Sequence, residues 1–114
     1  LGKKGNGPIP APGKESCMRT VYLVCYDIRD DRRLRRVFRI MNGFGDPVQY
    51  SVFLCELTRR ERMELEDELL RVIHHTEDQV LFVHLGPAGG NLVTHGFSTL
   101  GQKLTLGPRR TIVV

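Results

Sequence analysis

Residues 20–57 read TVYLVCYDIRDDRRLRRVFRIMNGFGDPVQYSVFLCEL, and the order of patterns in this stretch decides the fold. It opens on TVYLVCYDI, residues 20–28, an apolar run that is nearly continuous. Such a run predicts a strand covered on both faces. Val21, Leu23 and Cys25 point to one side, Tyr22, Val24 and Tyr26 to the other, and Asp27 arrives at the strand's carboxyl end. Asp30 and Asp31 are suited to cap a helix that begins near Arg32. Leu34, Val37, Phe38 and Met41 then follow at helical spacing as one apolar stripe, with Arg32, Arg35, Arg36 and Arg39 lying off it. Gly43 is a fitting helix stop, and Gly45-Asp46-Pro47 continues the turn. VQYSVFLCEL, residues 48–57, is rich in β-branched and aromatic residues but long for one strand. It reads as two short strands or one bent strand, with a turn near Gln49–Ser51.

Beyond this stretch, Thr58-Arg59-Arg60-Glu61 has the form of a capping box that opens a second helix. Leu65, Leu69, Val72 and Ile73 supply its buried stripe, and the helix is expected to end near His74 and His75. QVLFVHL, residues 79–85, is the last core strand, and GPAGGN after it is a turn. The order β-α-β-β-α-β defines an α+β, ferredoxin-like domain over residues 18–92. A tail over residues 93–114 holds strand-like pieces at Lys103–Leu106 and Thr111–Val114, so an additional C-terminal strand is expected at a sheet edge. Such a sheet carries its helices on one face. Because the strands are apolar on both, a second copy of the chain is the simplest cover, which predicts a homodimer.

The 114 residues suffice for one domain. Residues 1–17 lack periodicity and read as a leader that is either disordered or appended during cloning. Removing that leader takes three of the 17 basic and one of the 13 acidic residues, and the net charge falls from +4 to +2. Its distribution says more than its size. From Met18 onward every basic residue is Arg except Lys103, and six arginines fall between Arg29 and Arg39. The acids gather instead at Glu61, Glu64, Glu66, Asp67 and Glu68. No apolar run approaches the roughly 20 residues of a membrane span. With no signal-peptide pattern and three cysteines in no CxxC pair, a cytoplasmic protein without membrane contact is expected.

Two features carry chemistry. A carboxylate at Asp27, beside Tyr26 and an arginine-rich helix, suits a divalent metal, but on position alone capping or bonding of the following turn is the better explanation. A two-fold dimer would bring two copies of Asp27 together. The arginine helix suits phosphate oxygens, against the plain alternative of a solvated face. His74 and His75, adjacent in sequence, point to different sides, and GPAGGN lacks the Lys-Ser/Thr ending of a phosphate loop.

The stretches VYLVCYDI, DDRRLRRV and VQYSVFLCELT, in this order, resemble the CRISPR-associated Cas-two family, the small partner of the spacer integrase. The resemblance runs from about Met18 to Leu85, with Tyr26-Asp27 and the segment Val48 to Phe53 as its specific parts. It implies a ferredoxin-like homodimer with Mg²⁺ shared between two copies of Asp27, and Tyr26 and Asp27 as catalytic residues. It implies nucleic-acid binding through Arg32, Arg33, Arg35, Arg36 and Arg39. It also implies a dimer or partner interface at Phe53, Thr111, Ile112, Val113 and Val114. Pro47 stands where many members carry a basic residue, so any phosphate role of that position is lost here. The expected function is in CRISPR adaptation: a dimer that binds DNA or RNA and bridges the integrase, with metal-dependent endonuclease cleavage of single-stranded RNA or double-stranded DNA. The alternatives are a non-catalytic DNA-binding scaffold and a related toxin-type ribonuclease.

Overall fold

A computed structural model describes residues 18–89 and 97–104. The elements are β1 (Thr20–Asp27), α1 (Asp31–Asn42), β2 (Asp46–Gln49), β3 (Val52–Leu57), α2 (Arg59–Leu70) and β4 (Gln79–Pro87). The sheet order is β2-β3-β1-β4, with every neighbouring pair antiparallel. This is the ferredoxin-like arrangement expected, a split βαβ in which β3 inserts between β1 and β2. The stretch after Pro47 resolves into two strands joined by a turn at Tyr50 and Ser51. Pro47 sits in β2, an edge strand, where a missing N–H costs no ladder bond on the open side.

Local chemistry sets the helix ends. Asp30 caps α1 by accepting the Arg33 N–H at 2.9 Å, and the Gly43 N–H closes the helix onto the Ile40 and Met41 carbonyls. At α2 the Thr58 hydroxyl accepts the Glu61 N–H while the Glu61 carboxylate accepts the Thr58 N–H, the reciprocal box that the sequence predicts. The end of α2 differs from expectation. The helix stops at Leu70, and His74 and His75 lie in the loop beyond it. Side chains capture the backbone there: Asp78 accepts the His74 N–H at 2.8 Å, and His74 Nδ1 faces the Thr76 and Glu77 N–H groups. Such local bonds compete with helix continuation. Val72 still packs into the core.

The main core lies between the helices and the sheet. Val24, Val37, Met41, Phe53, Cys55 and Leu65 have no exposed surface there. Complete burial of an aliphatic or aromatic side chain stabilises by roughly 1.5–3 kcal/mol, so this layer anchors both helices. Phe53 corrects one expectation. The family resemblance implies a dimer or partner interface at this position, but the side chain is fully buried on the helix side, 5.5 Å from the Phe38 ring and 6.2 Å from Tyr26. It is therefore committed to the protomer's own packing.

A second apolar cluster occupies the outer sheet face. Val21 and Leu54 are buried, with Leu23, Val48, Leu85, Ala88, Phe97 and Leu104 against them. The chain's own Phe97 and Leu104 thus cover part of the face that a second copy was expected to cover alone. Further along, Cys25 pairs in register with Leu81, which is 51% exposed. Of the strand-like tail piece Lys103–Leu106, Lys103 and Leu104 are not in a strand; the rest of it and Thr111–Val114 lie outside the described residues.

Candidate functional site

Asp27 closes β1 opposite Gln79 of β4, with its side chain 69% exposed. Strand alternation sets it on the outer face with Cys25 and Leu81. Arg29 reaches to 3.9 Å from its carboxylate, an exposed and therefore weak pairing.

Tyr26, one residue earlier, projects the other way. Its ring stacks on Phe53 inside the core, and its hydroxyl donates to the Tyr50 carbonyl at 3.1 Å. Burial pushes the phenol up to about 12, with Tyr50 adding to the shift. The hydroxyl therefore stays protonated and serves as a donor that fixes the β2–β3 turn. The fold does not bring the Tyr26 hydroxyl and the Asp27 carboxylate together, because adjacent strand residues face opposite sides of the sheet.

The arginines of α1 divide into two groups. Arg33 is only 22% exposed and forks onto Asp78, with Nε to Oδ2 at 2.7 Å and an Nη donor to Oδ1 at 3.1 Å. It also reaches Glu77 at 3.1 Å. Asp78, with no exposed side-chain surface, accepts the Arg29 and His74 backbone N–H groups as well. The Arg33 bond foremost, with those two N–H groups, holds the Asp78 carboxyl well below the usual carboxylate range against its burial. Arg32, Arg35, Arg36 and Arg39 are exposed and form no ion pair with another described residue. Four guanidinium groups on one helix remain available to an anionic ligand.

Sequence reasoning missed Asp78. Its partner Arg33 lies 45 positions away, and no periodicity links the two. It also passed over Tyr50, a β2–β3 turn residue that is 66% exposed with its ring against Phe38. The only sequence signal was an aromatic at an expected turn. Among the described residues, no three His, Cys, Asp or Glu side chains group to hold a metal. Asp27 is the carboxylate that one chain presents on the outer face at the end of β1. No helix among the described residues is long and apolar enough to cross a membrane.

The fold and this arrangement define a class: small ferredoxin-like domains with an exposed carboxylate closing the first strand and a first helix clad in arginine. Residues 18–89 match the family model described as CRISPR associated protein Cas2, and the chain belongs to that family. It is 39% identical over 97 residues to the CRISPR-associated endoribonuclease Cas2 of Geobacter sulfurreducens, spanning 85% of this chain and 100% of that protein. It is 45% identical over 93 residues to a CRISPR-associated endoribonuclease Cas2 of Rhodospirillum rubrum, spanning 82% and 89%. The crystal structure of Streptococcus pyogenes Cas2 at pH 6.5 superposes with a TM-score of 0.60 at 29% identity, over 71% of this chain and 99% of that one.

Proposed function

We propose that two copies of this chain associate through the outer sheet face and act as a Mg²⁺-dependent endonuclease and nucleic-acid holder in CRISPR adaptation. The observation that carries this reading is the position of Asp27. It lies exposed on the outer face, at the end left open beside Leu81. Pairing of two such faces buries the apolar strip and brings one carboxylate from each copy to a common site. The relatives named as endoribonucleases support cleavage of a phosphodiester backbone.

The donor set of one chain fits Mg²⁺ only sparingly, through the single Asp27 carboxylate. That is compatible with an ion that keeps several waters and uses one or two carboxylates plus substrate phosphates. When bound, the metal supplies charge neutralisation at the scissile phosphate and an activated water. The chain's own residues do the remaining work. Arg32, Arg35, Arg36 and Arg39 hold the backbone phosphates without reading sequence. Arg33 acts differently: its bond to Asp78 fixes the loop that follows Asp27. Tyr26 holds the β2–β3 turn. Docking of the spacer integrase belongs to the same reading and is assigned to the C-terminal residues Thr111, Ile112, Val113 and Val114.

The sparse donor set also favours a second reading, a scaffold that holds DNA without cutting it. One assay separates the two: cleavage of single-stranded RNA and double-stranded DNA with and without Mg²⁺, run beside Asp27→Ala. The nuclease reading expects Mg²⁺-dependent cleavage that disappears in the variant. Cleavage that survives Asp27→Ala overturns it, and binding without any cleavage leaves the scaffold.

A further inference from the structure

We propose that Tyr50 is a stacking platform for an unpaired base, so that this chain binds single-stranded segments of nucleic acid at the β2–β3 turn. The inference rests on the nucleic-acid reading above, which already includes single-stranded RNA, and adds the residue that would recognise an unpaired base.

Three observations meet at this residue. Tyr50 is 66% exposed although it is a large aromatic side chain. Its ring is not loose: it lies 5.9 Å from the Phe38 ring at an interplanar angle of 22°. Its backbone is pinned as well, because the Tyr26 hydroxyl donates to the Tyr50 carbonyl and the Tyr26 N–H donates to Ser51 O, each at 3.1 Å. A ring supported from the protein side and open to solvent is pre-organised for a flat apolar partner, with little entropy left to lose on binding.

The surroundings identify that partner. At 100° per residue, the apolar stripe of α1 (Leu34, Val37 and Met41) lies to one side of Phe38, and Arg35 and Arg39 lie to the other. Neither arginine pairs with a described acid. The ring that supports Tyr50 thus has two arginines beside it on its own helix. A base stacked on an aromatic ring, with its phosphates held by neighbouring arginines, is how proteins bind single strands without sequence preference. In a duplex interior the base faces are covered by their neighbours, so the platform selects unpaired nucleotides. RNA and DNA both supply that chemistry.

The test is binding, read by fluorescence anisotropy at fixed salt without Mg²⁺. It compares single-stranded RNA, single-stranded DNA and a blunt DNA duplex of equal length. Tyr50→Ala is expected to weaken single-strand binding about 5- to 150-fold. Tyr50→Phe, which keeps the ring, is expected to stay within about twofold, because stacking and not the hydroxyl carries the interaction. Duplex binding serves as the control and is expected to hold in both variants. Equal losses on single strand and duplex, or no loss on either single strand, would overturn the platform while leaving the nucleic-acid reading intact. A drop in oligomeric mass with Tyr50→Ala would overturn it in favour of a contact between copies. Wild-type protein that binds none of the three probes would bring down both readings together.

Discussion

Replacing Asp78 should uncouple the loop after β1 from the loop before β4, and the size of the effect can be worked from its bonds. Its carboxylate receives the Arg33 guanidinium, the Arg29 N–H at 2.9 Å and the His74 N–H at 2.8 Å, with no exposed surface of its own. Hydrogen bonds to charged groups contribute about 1.5–3 kcal/mol each in favourable cases, but donors sharing one carboxylate are not additive. Water near the surface replaces part of the loss. Glu77, more than half exposed, adds little. Asp78→Ala is therefore expected to cost about 3 kcal/mol, or about 12–24 °C in Tm for a domain of this size. Asp78→Asn, which keeps an acceptor oxygen, should cost about half as much. The pH dependence gives a second reading. The folded-state pKa of Asp78 is depressed, chiefly by Arg33. Its contribution is accordingly present above the unfolded carboxyl value, about 3.9, and fades as pH falls below that. In thermal melts followed by circular dichroism, the gap between wild type and Asp78→Asn should narrow from pH 7 towards pH 3. A gap that stays constant or widens would refute the electrostatic account. An Asp78→Ala variant melting within about 3 °C of wild type would refute the clamp altogether.

Other expectations follow from single features. A Cβ at Gly45 would lie 2.6 Å from the Leu54 carbonyl oxygen and press on Cys55 Sγ. Gly45→Ala should therefore destabilise by roughly 2 kcal/mol in a thermal melt, and a wild-type Tm would show that the close approach is relaxed at no cost. Changing Arg32, Arg35, Arg36 and Arg39 to Gln should flatten the salt dependence of duplex binding. If all four touch phosphates, wild type loses about 150-fold more affinity than the variant between 50 and 200 mM salt, and parallel slopes would remove the helix from the interface. Leu81→Glu should weaken self-association at least about 100-fold, from the burial of a leucine in each copy. Its readout is mass by sedimentation, and a mass unchanged from wild type would place the interface elsewhere.

What could be read from the sequence was what is encoded locally. The Asp30 cap and the Thr58–Glu61 box each act within three residues, and the stripe from Leu34 to Met41 repeats inside one helix, so these stood as expected. The place of Asp27 at the carboxyl end of β1 was read in the same local way. What escaped the reading depended on distant or competing partners. The end of α2 was set by Asp78 capturing the His74 N–H, a bond that no helix propensity anticipates. The burial of Phe53 depended on where the turn at Tyr50 and Ser51 fell, because moving that turn by one residue reverses the side to which every β3 residue points. Covering of the outer face by Phe97 and Leu104 required a tail whose path no pattern specified.

The opposite projection of Tyr26 and Asp27 makes the length of β1 non-negotiable. One residue inserted or lost within the strand would turn the phenol out to water and drive an ionised carboxylate beneath Phe53, at a cost of several kcal/mol. Insertions and deletions are therefore expected to be borne by loops and ends, while the first strand acts as a ruler against which the packing and the chemistry are both measured.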